Sequence, residues 1–529
     1  MRLLNCFCVP VIIVIFSICQ VKGRPNFESK DDHLMHFIPK SHIRKRSIEN
    51  ETPVEKTTDY WRTNGQLAVN ERITRKPNKN IAKNVILFLG DGMSIPTISA
   101  ARMYMGNENK KLPFDEFPHT GLSMTYCVDS QVADSACSAT AYLGGVKANI
   151  GTLGVNAKVK KGDCLGMTNS SNFVDSIAQW SQKKGKKTGL VTTARVTHAS
   201  PAGLYAHSSH RDWEADSNVY ESEEDPNICH DIAYQLVNNA PGNNLNVILG
   251  GGRAQFLPNK TIDEEGVNGN RTDGVNLIQQ WLGDKVMVGD KAQYVWNKQQ
   301  LQGIVPDTDY VLGLFSDDHM PFNLERNATL TPSLEEMTET AIRLLDNTEE
   351  GYFLFVEGAR IDMGHHQTQA RKALDETAEF AKAIKKAMDL TDVEDTLIVV
   401  TSDHAHTMSF SGYPARGNDI LGYAGQDMDG YLYTTLNYAN GLGYNIMDDS
   451  GNRHDFAKDD LTDINYRYPV IYPMAYETHG GDDVGIFARG PWSHLFTGVM
   501  EENVIPHLMA FASCVSNGIT ACDSLKEAH

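Results

Sequence analysis

The chain has 529 residues, 41% of them hydrophobic and 22% charged, and carries a formal net charge of −19. That length holds one large α/β domain with an insertion, or two to four ordinary domains. The acidic balance argues against nucleic acid as a specific partner, because a phosphate backbone would be repelled, yet it admits a small phosphorylated substrate where bound cations dominate the field of a cleft.

Residues 1–23, MRLLNCFCVPVIIVIFSICQVKG, combine one early Arg, a short apolar core and small or polar residues at the end. The core is short for a membrane span, so a secretory signal peptide is expected, with cleavage after Gly23. Residues 24–56 are polar and contain Arg44-Lys45-Arg46, read either as a processing site or as a basic linker. Cys6, Cys8 and Cys19 leave with the leader; Cys127, Cys137, Cys164, Cys229, Cys514 and Cys522 remain to pair in an oxidising compartment. Sequons at Asn50, Asn169, Asn259, Asn270 and Asn327 fit a glycosylated surface. The sequence stops at LKEAH without the hydrophobic tail that a carboxyl-terminal lipid anchor requires, so no membrane span or lipid anchor is expected and the protein is read as secreted and extracellular.

A helix is predicted over 57–75, with Tyr60-Trp61 as its apolar handle. Strand, turn and helix then alternate to about residue 250. NVILFL before Asp91, NVILGGG at 246–252, YFLFV before Glu357, TLIVVTS before Asp403-His404 and VGIFARG after His479 are continuous apolar runs, read as buried parallel strands. Residues 253–332, rich in Gly, Asn and Asp, read as a loop-heavy surface insertion. SLEEMTETAIRLLDN (333–347) and QARKALDETAEFAKAIKKAMDL have helical spacing, and the apolar stripe of the second reads as core. Residues 411–477, full of Gly, Tyr and Asn, are read as a small inserted domain. The core is then 57–410 with 478–522, and 523–529 is a tail.

Open α/β sheets place their ligands beyond the carboxyl ends of their strands, and here carboxylates and imidazoles cluster at such ends. Asp91 sits in LGDGM, Glu357 in FVEGARIDMGHH, Asp403 and His404 in TSDHAH, and His479 in ETHGGDD. Asp362 and His366, four apart, share a face if their segment is helical. Each motif alone has a bland reading, a turn or a hydrogen-bonded loop; their joint appearance points to a metal cluster. Ser135, in DSACSATAYLGG, is either a helix cap or a nucleophile at a helix N-terminus, where N–H groups stabilise an anion. With no His nearby in sequence, a metal is the economical activator of its hydroxyl.

NVILFLGDGM, DSACSATAYLGGVKAN, TTARVTHASPAGLYAH, FVEGARIDMGHH, TSDHAHTMSFSGYP and ETHGGDDVGIFARGP, in that order from about residue 57 to Cys522, resemble alkaline phosphatases of the animal type. The resemblance implies a doubly wound α/β fold with a mostly parallel central sheet, helices on both faces and a small crown-like insertion. It further implies a homodimer that hydrolyses phosphate monoesters through a phosphoserine, using two zinc ions and one magnesium per subunit. Asp362, His366 and His479 match the ligands of one zinc; Asp91, Asp403 and His404 match those of the other, beside Ser135. Asp91, Ser200 and Glu357 match the magnesium ligands, and Arg211 matches the arginine that grips phosphate. The chemical types suit these ions, since zinc accepts imidazole and carboxylate while magnesium takes oxygen. The resemblance also implies Cys164–Cys229 and Cys514–Cys522 disulfides. Cys127 and Cys137 lie outside that framework, and whether they pair with each other is left open.

Three departures or matches bear on detail. Met363 stands where animal enzymes usually carry His, which removes a hydrogen-bonding contact toward phosphate. Ser316 and Thr331 stand where two carboxylate ligands of a calcium site would align, so that site is expected to be absent or weak. Tyr413 and the Tyr60-Trp61 helix match elements that reach the partner subunit, though local packing explains them equally. The alternatives are a phosphodiesterase of the same superfamily, or a binding glycoprotein that kept the fold without the chemistry.

Overall fold

The apolar runs expected as strands all lie within one ten-stranded sheet. The computed structural model describes residues 53–443, 447, 451 and 454–526. The signal peptide, the basic triplet and Asn50 fall outside the described residues. The first eight strands in chain order are β1 (Asn84–Gly90), β2 (His119–Met124), β3 (Lys187–Arg195), β4 (Val247–Gly251), β5 (Ala292–Val295), β6 (Tyr310–Leu314), β7 (Tyr352–Gly358) and β8 (Thr396–Thr401). Val484–Arg489 and Gly498–Glu501 complete the sheet. Across it the order is Gly498–Glu501, β2, Val484–Arg489, β8, β1, β7, β3, β4, β6, β5.

From β8 to β5 every neighbouring pair is parallel. In β1, Ile86 and Phe88 enter one hydrophobic core while Val85, Leu87 and Leu89 enter a second on the opposite face. A strand buried on both faces has no polar side to show, which is why these runs read as uninterrupted apolar sequence. The helix Ala370–Leu390 packs Leu374, Phe380 and Ile384 into the first core. The helix Leu334–Leu345 joins it there, started by a capping box between Ser333 and Glu336. The helix Ser135–Gly144 packs Ala136, Ala139, Tyr142 and Leu143 into the second. Helices thus cover both faces of the sheet.

Two expectations need correction. VGIFAR is not a parallel strand: Val484–Arg489 runs antiparallel to both β8 and β2. Because it runs backwards, its amino-terminal end lies at the carboxyl rim of the parallel strands, so His479 just before it is still delivered to that rim. The stretch 253–332 is also more than loop. It contains the helix Leu277–Met287 and two strands of the main sheet, β5 and β6, at one edge.

Between β8 and Val484–Arg489 the chain forms a three-stranded sheet of Met408–Phe410, Leu436–Gly441 and Val470–Pro473, and a hairpin of Tyr423–Gln426 with Leu432–Thr434. The helix Thr58–Thr74, capped by Thr57, buries none of its residues, and Tyr60 packs edge-on against Trp61. Among the described residues three disulfides are present: Cys164–Cys229, Cys514–Cys522 and the pair left open by sequence, Cys127–Cys137. Asn169, Asn259, Asn270 and Asn327 are all exposed. Among the described residues no helix is long and apolar enough to cross a membrane.

Candidate active site and metal centre

Four adjacent central strands, β8, β1, β7 and β3, open onto one rim and supply most of the polar side chains nominated above. β1 ends one residue before Asp91, and Glu357 is the penultimate residue of β7, opposite Thr192 of β3. The helix Arg360–His366 follows β7 and turns Asp362 and His366 to the same side, with Asp362 Oδ1 3.3 Å from His366 Nε2. Asp403 and His404 follow β8. A two-residue ribbon then pairs His406 with His479 and Ala405 with Gly480, which carries His479 across to the rim. Ser200 lies in the short helix Ala199–Ala202 beyond β3, and its hydroxyl approaches Asp91 Oδ2 at 3.4 Å.

Ser135 is not the cap of its helix. Asp134 caps it, accepting from the Cys137 N–H, and Ser135 occupies the first helical position. Its Oγ lies 3.2 Å from His404 Nε2. The same nitrogen is 3.2 Å from Asp403 Oδ2 and 3.6 Å from Asp91 Oδ1. Asp403 Oδ1 accepts from the Gly92 N–H at 3.0 Å, and Gly92 is held at φ +67° so close to His406 that a β-carbon would collide with the ring. Arg211 reaches the same place from the loop beyond Ser200. Its Nη1 donates to Asp134 Oδ2 at 3.0 Å and its Nη2 to His198 Nε2 at 3.1 Å. All ten nominated residues are therefore on one rim.

Electrostatics sort this rim into two parts. Burial pushes the Asp91 carboxyl well above the usual range, and the charges of Asp403, Asp362 and Glu357 push it further. Burial likewise raises Asp403, and raises Glu357 to about 8. These are acids crowded together out of water, a set that stays ionised only with cations among them. At Asp362 burial acts the same way, but His366, His406 and His479 outweigh it and hold its carboxyl well below the usual range.

The donor set passes a test for metal. Asp91 Oδ1, Asp403 Oδ2 and Glu357 Oε1 are buried without a hydrogen-bond partner. Buried polar atoms are rarely left so, and an ion is one of the few ways to satisfy them. His366 and His479 give their Nδ1 atoms to the carbonyls of Glu477 and Ala133 and turn Nε2 inward, the arrangement that prepares an imidazole for a metal.

Residues passed over in the sequence also belong here. His406 bridges Asp362 Oδ1, 2.7 Å from Nε2, and Glu477 Oε2, 2.5 Å from Nδ1. Burial opposes its charge, but Glu477 and Asp362 hold its pKa up to about 10. His198 stands with Asp91 and Glu357 in a group close enough to share an ion. The D-H-A-H and E-T-H spacings were the available signals for His406 and Glu477.

The alkaline phosphatase family model matches residues 82–515. This chain belongs to the alkaline phosphatase family. A membrane-bound alkaline phosphatase of Bombyx mori is 45% identical over 492 residues, 90% of this chain and 89% of the relative. The human tissue-nonspecific isozyme is 43% identical over 483 residues, 88% of this chain and 91% of the relative. The solved alkaline phosphatase of Thermus thermophilus shares the fold at 20% identity and a TM-score of 0.59, covering 86% of this chain and 97% of its own. That of the Antarctic bacterium TAB5 does so at 22% and 0.56, covering 82% and 98%. As an alkaline phosphatase the chain is a hydrolase that acts on phosphorylated substrates.

Proposed function

We propose that this alkaline phosphatase cleaves phosphate monoesters through a phosphoserine formed on Ser135, at a centre of two zinc ions and one magnesium. Asp362, His366 and His479 would hold one zinc, and Asp91, Asp403 and His404 the other. Asp91, Ser200 and Glu357 would hold the magnesium. The observation that carries the reading is the position of Ser135 Oγ, 3.2 Å from His404 Nε2 at a helix N-terminus, with the Arg211 guanidinium tied to the adjacent Asp134.

When bound, the metals supply Lewis-acid stabilisation of oxygens at phosphorus and lower the proton affinity of a hydroxyl beside them. The chain's own residues do the rest. Ser135 Oγ, fixed by the first turn of its helix, attacks phosphorus as the alcohol leaves. The free N–H groups of that turn and the helix dipole offset the charge on the phosphoryl oxygens. Arg211 presents a planar fork to two of those oxygens, and Asp134 orients it from behind. Water then displaces Ser135 from phosphorus and restores the hydroxyl.

Trapping with radiolabelled phosphate tests the assignment: the wild-type enzyme should yield labelled phosphoserine and Ser135→Ala none, and normal label in that variant would refute it. Metal analysis of the same preparation should find zinc and magnesium; stoichiometric calcium would contradict the reading of Ser316 and Thr331. The chain is further read as a secreted, extracellular, glycosylated homodimer. The uncovered helix Thr58–Thr74 and Tyr413, 62% exposed, support the dimer, and the exposed sequons support glycosylation. Light scattering of the culture-medium protein before and after glycosidase treatment reads all three.

A further inference from the structure

Beside the rim lies a train of side chains that runs from the outer loop after β6 to Arg211. Arg195, the last residue of β3, is clamped by Glu214, which accepts from its Nε at 2.8 Å and its Nη2 at 2.5 Å. Thr197 Oγ1 donates to the same carboxylate at 2.6 Å, and Asp318 accepts from Arg195 Nη1 at 2.6 Å. Against this fixed arginine sits His319. Its Nδ1 accepts the Arg195 backbone N–H at 3.2 Å, and its Nε2 lies 2.7 Å from Arg195 Nη1. Both Arg195 groups can only donate and a neutral imidazole accepts at one nitrogen, so a single hydrogen bond from Arg195 holds the ring in place.

The other side of His319 meets His198, edge to face, with ring centroids 5.2 Å apart and planes at 76°. His198 in turn accepts from Arg211 Nη2 through Nε2, so its hydrogen is on Nδ1, and that atom is buried with no hydrogen-bond partner. Among the described residues no second hydrogen bond fixes the plane of the His198 ring, and the His319 ring packs against it. A ring free to turn would carry its acceptor away from Arg211, and Asp134 alone would then aim the guanidinium.

We propose that His319 is a positioning residue: it wedges the His198 ring and, through it, sets the orientation of Arg211 toward phosphate. It touches no reacting atom. The proposal rests on the reading of Arg211 as the phosphate-binding arginine, and the experiment separates the two.

The measurement is competitive inhibition by inorganic phosphate, with KM and kcat for an aryl phosphate, on metal-saturated enzyme whose zinc content and Tm are recorded. His319→Ala should raise the phosphate inhibition constant about 5-fold, the scale of coupling between residues in one network. His319→Phe, which keeps a packed ring and loses both nitrogens, should restore most of the affinity. In a His198→Ala background, His319→Ala should add nothing. An unchanged constant in His319→Ala, equal losses in the Ala and Phe variants, or additive effects in the double variant would each overturn the proposal. Arg211→Ala is the control: if it leaves phosphate inhibition unchanged, the reading of Arg211 itself fails; if it weakens inhibition while His319→Ala does not, only the wedge fails.

Discussion

His366 and His479, 113 positions apart in the chain, point their Nε2 atoms at each other across 3.1 Å. Each ring's Nδ1 faces a backbone carbonyl, which can only accept, so each Nε2 is left with a lone pair. Asp362 Oδ1 lies 3.3 Å from one and 3.4 Å from the other. Burial lowers the pKa of His366, so a proton is a poor substitute for a cation between them. Chelation should therefore abolish hydrolysis and lower Tm together, and zinc should restore both. Full turnover in a preparation shown by elemental analysis to hold no zinc would sink the metal reading.

The metal-stripped protein should also depend on pH in a particular direction. The folded Glu357 titrates at about 8 against 4.5 for the free side chain, so the folded form keeps a proton across that window that the unfolded form loses. Stability is then highest below 4.5 and declines as pH rises toward 8. Asp91 and Asp403, both raised by burial, act with the same sign. His406, raised from 6.5 to about 10, contributes fully below 6.5 and loses its contribution as pH rises through 10. Asp362 acts oppositely, its contribution being lost on acidification below 3.8, and so do His366 and His404, whose burial lowers their pKa values so that protonation below 6.5 opposes the fold. Above about pH 7, where His366 and His404 are neutral both folded and unfolded, Tm of the stripped protein should fall toward about pH 9 while that of the metal-loaded protein stays flatter. Parallel profiles would contradict this.

His406 ties two buried carboxylates, Asp362 and Glu477, into the frame of the site. Removing it leaves both without their shared cation, the situation in which a buried ion pair is costly to break, by about 3–5 kcal/mol. His406→Ala should lower Tm accordingly and reduce bound zinc, because Asp362 is then free to turn. A variant with wild-type Tm and zinc content would show that the bridge is incidental.

The central strands were legible because burial on both faces leaves unbroken apolar runs, 85–89 in β1, 353–356 in β7 and 397–400 in β8, shortly before the functional residue. Asp362 and His366 were legible for a similar reason, since a four-residue spacing has one meaning on a helix. His406 was not. It follows His404 by two positions, and only the ribbon formed with His479, more than seventy residues later, turns it toward Asp362. Of the two readings open for Ser135 the backbone excludes the cap, as Asp134 and Ser135 are both good cap residues and Asp134 takes that position. β5 and β6 escaped notice because β5 is four residues long, only one of them buried, and lies at the sheet edge among Gly, Asn and Asp. Non-local pairing decides such segments, and spacing along the chain carries no trace of it.

Met363 Sδ accepts from Arg360 Nη1 at 2.8 Å, so position 363 carries no titratable group. A histidine there would introduce a group that is cationic below about 6.5 and neutral above it. Met363→His should therefore raise kcat/KM for an aryl phosphate relatively more at acidic than at alkaline pH, since the cation favours the anionic substrate. Superimposable pH profiles for the two enzymes would count against any contact between position 363 and phosphate.

The Cys127–Cys137 disulfide closes a loop of ten residues that ends in the first turn of the Ser135 helix. Cys137 also donates its N–H to Asp134, the residue that holds Arg211, so the bridge and the cap restrain the same turn. In the chain-entropy account a bridge over a loop this short contributes about 2–3 kcal/mol through the unfolded state. Replacing both cysteines by serine should lower Tm by that equivalent. It should also weaken phosphate inhibition, because Asp134 and Arg211 lose a fixed platform. A drop in Tm with phosphate affinity unchanged would assign the bridge to stability alone, and unchanged Tm would show that the cap and the buried helix face hold the turn without it.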